Sequence, residues 1–206
     1  MSMVMEVFAV RDVTLRRLLA DPPLVWQLVA PDDPDIYQQA RAEAAAAASG
    51  FFARLFGGAS AGTSAANVAP LVLADDEGSV ADLDKAWHGL HYLFTGTDEG
   101  GNPPLDFIAV GGEEIGTIDV GYGPARALAP PLVAQIAAKL ASLSDAELRS
   151  RFNGPAMMAT KIYPEIWDQD PAEDDSLGYL MENLADLRKA VSDAAGRRQG
   201  LVLVLT

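Results

Sequence analysis

The chain has 206 residues, half of them hydrophobic, a formal charge of -14 and no cysteine. That length supports one sizeable core rather than two ordinary domains. The missing cysteines exclude disulfides, thiolate nucleophiles and Cys-based zinc or iron–sulfur centres, and the acidic balance disfavours nucleic acid as a partner.

The opening residues MSMVMEVFAV carry Glu6 inside an apolar stretch and have no basic leader, so they read as a first strand and not a signal peptide. No apolar run reaches the roughly 20 residues of a spanning helix. A cytoplasmic protein without membrane attachment is expected.

Met3 to Val10 is the first predicted strand. Asp12 then stands as a predicted N-cap, with Leu15, Leu18 and Leu19 at helical spacing until Asp21-Pro22-Pro23. Leu24, Val25 and Leu28 suggest a second short helix, and Asp33-Pro34 restarts the pattern. In IYQQARAEAAAAASGFFARLFGG, residues Tyr37, Ala40, Ala44, Ala48, Phe51 and Leu55 recur on roughly one face of a helix. Its FFARLF end could rest on a membrane surface or grip a partner helix. With only Arg41 and Arg54 as basic residues, packing on the domain is favoured. Gly57 to Ala69 reads as a flexible linker within the domain.

A strong helix is predicted from Ser79, with Leu83, Trp87, Leu90 and Phe94 on one stripe and Gly96 as its terminating glycine. Phe107 to Val110 and Ile115 to Val120 are candidate strands, and Gly121-Tyr122-Gly123-Pro124 is a tight turn. Helices follow after Pro130-Pro131, at the capping box Ser144 to Glu147, and after Gly154-Pro155. The longest carries Leu177, Leu180, Met181, Leu184, Leu187 and Val191. Gly200 leads into a last strand, LVLVLT. Strands at both ends with helices between them predict an α+β fold. One sheet would include both terminal strands and pack against several amphipathic helices.

Both histidines fall in the predicted helix, where Asp84, His88 and His91 would share one side at i, i+4 and i+7. Two imidazoles and a carboxylate in that pattern could hold a divalent metal, or pair as a general base. The pattern lacks the glutamate and the His spacing of the zinc-protease helix, so no metal and no cofactor are assigned. The alternative is a half-buried, hydrogen-bonded His91 beside Trp87 and a solvated His88. The glycines after Thr95 follow a helix C-terminus, where the dipole opposes anions, and read as turns. Tyr122, between two glycines, and the nearby Arg126 suit recognition of a ring or an anion, against a turn whose Tyr packs inward. The acidic run from Glu165 to Asp175 lacks EF-hand spacing and reads as a solvated connector.

The segments DLDKAWHGLHYLFTGT (Asp82 to Thr97), GYGPARAL (Gly121 to Leu128) and ELRSRFNGPAMMATKIYP (Glu147 to Pro164), with the LVLVL ending, resemble the YfbM-like family of bacterial domains of unknown function. The resemblance spans residues 1–206 as a single domain, with about 38–79 as a variable Ala/Gly/Ser-rich insertion. It implies a compact α+β fold and a small bacterial cytosolic protein. It carries over no activity and no catalytic residue.

The expected function is a binding module for a small molecule or a protein partner, with a site drawn from Asp84, Trp87, His88, His91, Tyr122 and Arg126. One alternative is an acidic interaction or immunity-type protein that neutralises a basic partner. A second is an enzyme using His91 with Asp84.

Overall fold

The computed structural model describes residues 2–56 and 69–206, the side chains of 47–56 excepted. Five strands and eight α-helices lie among the described residues. Strands β1 (Met5–Val10) and β5 (Gly200–Leu205) run side by side and antiparallel, from Met5 opposite Leu205 to Val10 opposite Gly200. β2 (Val80–Asp82) pairs with the outer side of β1. β4 (Pro124–Leu128) pairs with β5, and β3 (Glu113–Asp119) forms the far edge. The order is therefore β2-β1-β5-β4-β3, antiparallel throughout.

Successive strand side chains point to opposite faces, and here both faces are buried. Met5, Val7, Ala9, Leu201 and Leu203 belong to a first core. It is covered by α4 (Trp87–Thr95), α5 (Pro130–Ser142), α6 (Asp145–Arg151), α7 (Gly154–Ala159) and α8 (Ser176–Gly196). Phe8, Val10, Val202 and Val204 belong to a second core on the opposite face. There they meet α1 (Asp12–Ala20), α2 (Val25–Val29) and, through Tyr37, the start of α3 (Pro34–Phe56). A sheet sandwiched between helix layers explains why LVLVL is apolar without alternation. Each fully buried side chain there contributes about 1.5–3 kcal/mol.

The α+β class and the pairing of the terminal strands agree with the sequence reading, and several elements differ from it. The helix expected from Ser79 begins at Trp87: Val80–Asp82 is held as a strand by β1, and Asp84–Ala86 is a 3-10 turn. Asp84 itself has φ +43°, outside helical space. Phe107 to Val110 forms turns, and β4, unmarked in the sequence, supplies the strand between β3 and β5. Asp12 is the first helical residue of α1 and pairs with Arg16, while Arg11 takes the cap position without a side-chain bond. Ser144 does cap α6, accepting the Glu147 N–H, and Gly96 ends α4 in the left-handed conformation.

The Ala-rich segment lies on the second face. Tyr37 and Ala40 are buried, whereas Ala44 is exposed. The positions Ala48, Phe51 and Leu55, and the linker residues 57–68, fall outside the described side chains and residues. The chain returns at Leu71, whose N–H donates to Gln27 Oε1 at 2.5 Å. Among the described residues no helix is long and apolar enough to cross a membrane.

Gly154 fixes how α7 meets the core. A Cβ there would lie 2.1 Å from the backbone oxygen of the buried Trp167 and 3.2 Å from the Asp168 Cα. Backbone cannot yield as a side-chain end does, so Gly154→Ala is expected to destabilise the fold by about 3 kcal/mol. Urea unfolding of the variant beside the parent reads this directly.

Candidate functional site

On the first face the ends of β1, β5 and β4 are not fully covered, and a cleft of about 390 Å³ opens there. Its floor is apolar: Met5, Leu203 and Leu205 project from the strand ends. Trp87 and His88 at the start of α4 form one wall, and the turn residues Ile108 to Val110 form another. Asp98 and Glu99 stand at the rim, Tyr122 at the hairpin tip, and Arg126 reaches in from β4.

Arg126 sits opposite Leu203 in the β4–β5 register, which aims its side chain at this face. Its guanidinium donates through Nη1 to the carbonyls of Phe107 at 3.0 Å and Gly111 at 2.6 Å, and through Nη2 to that of Ile108. The cation thus ties the 107–111 turn to the sheet. Burial lowers its pKa, opposed by the charges of Glu114 and Asp106. Among the described residues no carboxylate forms an ion pair with it within 4 Å. Nε makes no protein hydrogen bond and is not sealed from solvent.

Tyr122 is positioned by the turn between β3 and β4. The Asp119 carboxylate accepts the N–H groups of Gly121 at 2.8 Å and Gly123 at 2.9 Å. Both glycines have positive φ, at +149° and +97°, a conformation that a side chain would oppose. The Tyr122 N–H donates to Leu205 O at 3.0 Å, pinning the tip to the end of β5, and its side chain stays 41% exposed.

The histidines divide differently from the sequence expectation. His88 is only half-buried, yet both its ring nitrogens meet backbone: Nδ1 accepts the Tyr163 N–H at 3.0 Å, and Nε2 lies 2.9 Å from Asp98 O. Since Nδ1 accepts, Nε2 carries the proton, and the ring offers neither nitrogen to a ligand. It stacks on Trp87, with centroids 4.8 Å apart. Burial lowers its pKa, against the nearby Asp98 carbonyl and the charges of Asp98 and Glu99. His91 is 0% exposed and is not among the residues that line the cleft. Trp87 Nε1 has no hydrogen-bond partner among the described residues, and neither His91 nitrogen has one of good geometry, although the Gly100 backbone lies close enough to favour the protonated ring. Burial, with the charges of His88 and Arg126, pushes the His91 pKa down to about 4.

Asp84 stands apart. Its carboxylate accepts the Tyr179 hydroxyl at 2.9 Å, and its place in the 3-10 turn breaks the helical register with the histidines. The structure therefore gathers Trp87, His88, Tyr122 and Arg126 at one cleft, buries His91 out of its lining, and leaves Asp84 outside. Among the described residues no three acidic or imidazole side chains form a metal-binding group. Sequence reading missed Asp98, Glu99, the 108–110 turn and the strand-end floor. Only the floor had a signal, because period-two alternation puts Met5, Leu203 and Leu205 on one face.

A larger crevice, about 520 Å³, lies on the second face between α3 and β3. Among the described residues its charged lining is Glu43 and Asp119. It combines fewer kinds of recognition group than the cleft.

The neutral burial of His91 has a pH signature. The unfolded chain takes up a proton near pH 6.5, which the folded His91 refuses until about pH 4. Stability is therefore expected to fall as pH drops through that window, by on the order of 3 kcal/mol. His91→Met removes this part of the slope, because methionine takes up no proton in either state. Urea unfolding of both proteins from pH 7.5 to 4 measures the difference, with the His88 contribution common to the two.

The model of a family described as a domain of unknown function (DUF1877) matches residues 1–204. Among solved structures the chain is similar to the protein of unknown function YfbM from Escherichia coli. The two share 17% identity over 98% of this chain and 99% of that one, with a TM-score of 0.62, a likeness of fold. No curated protein matches. With a match reaching from Met1 to Val204, the chain belongs to the DUF1877 family of domains of unknown function.

Proposed function

We propose that this chain is a cytosolic bacterial binding module that holds a small molecule in the cleft between α4, the 108–110 turn and the Tyr122 hairpin. The carrying observation is convergence. Segments far apart in sequence build one concavity with an apolar floor, an accessible aromatic ring and a single cation. Its volume falls within the roughly 300–1,000 Å³ of small-molecule sites, which are mostly apolar with a few placed polar groups.

Binding is favoured over catalysis by the state of the titratable groups. Both His88 nitrogens are occupied by backbone, His91 is buried out of the cleft lining, and Asp84 is engaged with Tyr179. A general base needs a free nitrogen or carboxylate within reach of substrate; these three supply none in the cleft, and the carboxylates of Asp98 and Glu99 stand only at its rim. A cysteine-free chain also needs no oxidising compartment, in keeping with the cytosol.

Titration of isotope-labelled protein with planar aromatic fragments is expected to shift the resonances of the Trp87 indole, the Tyr122 amide and the 108–110 turn together. Tyr122→Ser, at an exposed tip, should weaken the binding by about tenfold while leaving the melting temperature unchanged. Fragments that leave this group of resonances still would rule out the cleft as the binding site.

A further inference from the structure

The proposed binding role leaves the chemistry of the ligand open, and resting on that reading, the lining narrows it. We infer that the cleft selects a singly charged organic carboxylate carrying an apolar, aromatic body, and that Arg126 holds the carboxylate.

Three observations lead there. The first is the state of Arg126. Of its five N–H donors, the two on Nη1 and one on Nη2 are spent on the carbonyls of Phe107, Gly111 and Ile108. Nε and the second Nη2 proton have no acceptor among the described residues, and Nε is not sealed from solvent. Adjacent corners of a planar fork match the two oxygens of a carboxylate. The three carbonyl bonds also fix the side chain in advance, so little rotamer freedom is left to lose on binding.

The second observation is charge. In a chain of formal charge -14, a half-buried guanidinium would ordinarily gain a carboxylate partner. Arg126 has carbonyl dipoles instead, and no acidic group within 4 Å. Glu114, its cross-strand neighbour, and Asp106 act on it only from beyond that distance. The spare donors thus have no carboxylate in contact among the described residues, and an incoming carboxylate supplies one.

The third observation sets the limit on that anion. Asp98 and Glu99 stand at the rim of the same cleft. A dianion such as a phosphate monoester would meet two carboxylates and one cation, and the net field of the protein besides. A monocarboxylate needs only the one cation. Its body would lie on Leu203, Leu205 and Met5, beside the Trp87 and Tyr122 rings.

The test is made on the unaltered protein, because Arg126 also anchors the 107–111 turn and its removal could unfold that segment. Labelled protein is titrated with 3-phenylpropionate, with the uncharged 3-phenylpropionamide, and with phenyl phosphate, while the Arg126 Nε–H and the cleft amides are followed by nuclear magnetic resonance. The expected result is that 3-phenylpropionate binds at least about tenfold more tightly than either other probe, and alone moves the Arg126 Nε–H. Equal binding of acid and amide at the cleft would overturn the carboxylate assignment while keeping the small-molecule reading. Tighter binding of phenyl phosphate would overturn the single-charge limit. No shift at the cleft with any probe would overturn both the assignment and the reading beneath it.

Discussion

The antiparallel pairing of β1 with β5 is the contact on which the molecule depends. It joins the two ends of the described chain through six residues on each side and puts β5 at the centre of the sheet. Because neither strand has a solvent face, pairing them creates two cores at once. Odd-numbered residues of both strands close the core under α4 to α8, and Phe8, Val10, Val202 and Val204 close the core under α1 to α3. A shift by one residue would exchange the two sets and match neither helix layer. The contact is also as long-range as the chain permits, so the ordering of most of the sequence must be coupled to it.

The same register positions the cleft. Leu203 stands opposite both Val7 and Arg126, so the strand that completes the core also fixes where the guanidinium emerges. Arg126 then holds three carbonyls of the 107–111 turn, and Leu205 O receives the Tyr122 amide. Two of the cleft walls are therefore irregular segments bound to the sheet by single polar anchors. Loops of this kind keep their shape only when their backbone groups are satisfied, and here the satisfying groups come from β4 and β5.

Much of this was legible in the sequence. The two apolar terminal strands, the amphipathic α5 and α8, the Ser144 cap and the Gly96 terminus each follow from a local pattern with one physical meaning. What the sequence misrepresented was governed by partners far along the chain. Val80 to Asp82 continues the periodicity of α4, yet pairing with β1 draws it into a strand and removes Asp84 from the histidine face. Phe107 to Val110 has strand composition, but its carbonyls are taken by Arg126 instead of by a neighbouring strand. β4 carries Pro124 and Arg126 in five residues and has little strand character of its own; it is a strand because β5 and β3 flank it. The site was legible in part for the same reason. Tyr122 and Arg126 were marked by turn chemistry and charge, whereas the two histidines were marked by a helical spacing with Asp84, which the fold takes out of the helix.

That contrast bears on where chemistry resides in this fold. Histidine spacing is the more conspicuous sequence signal, but a nitrogen bonded to backbone or sealed under a core cannot act on a ligand, whatever its neighbours. The arginine has the opposite history: most of its donors serve the fold, and the remainder have no acceptor among the described residues, on a side chain that lines the cleft. Across the sheet, the alanine-rich helix and the return of the chain at Leu71 pack on the second core, with β1, β4 and β5 between them and the cleft. A change of length or composition in that segment meets α1, α2 and the far face of the sheet first. It reaches Arg126 only by disturbing the β4–β5 register, and six buried residues of β1 and β5 oppose that disturbance: Val7, Ala9 and Leu203 from one side, Phe8, Val202 and Val204 from the other.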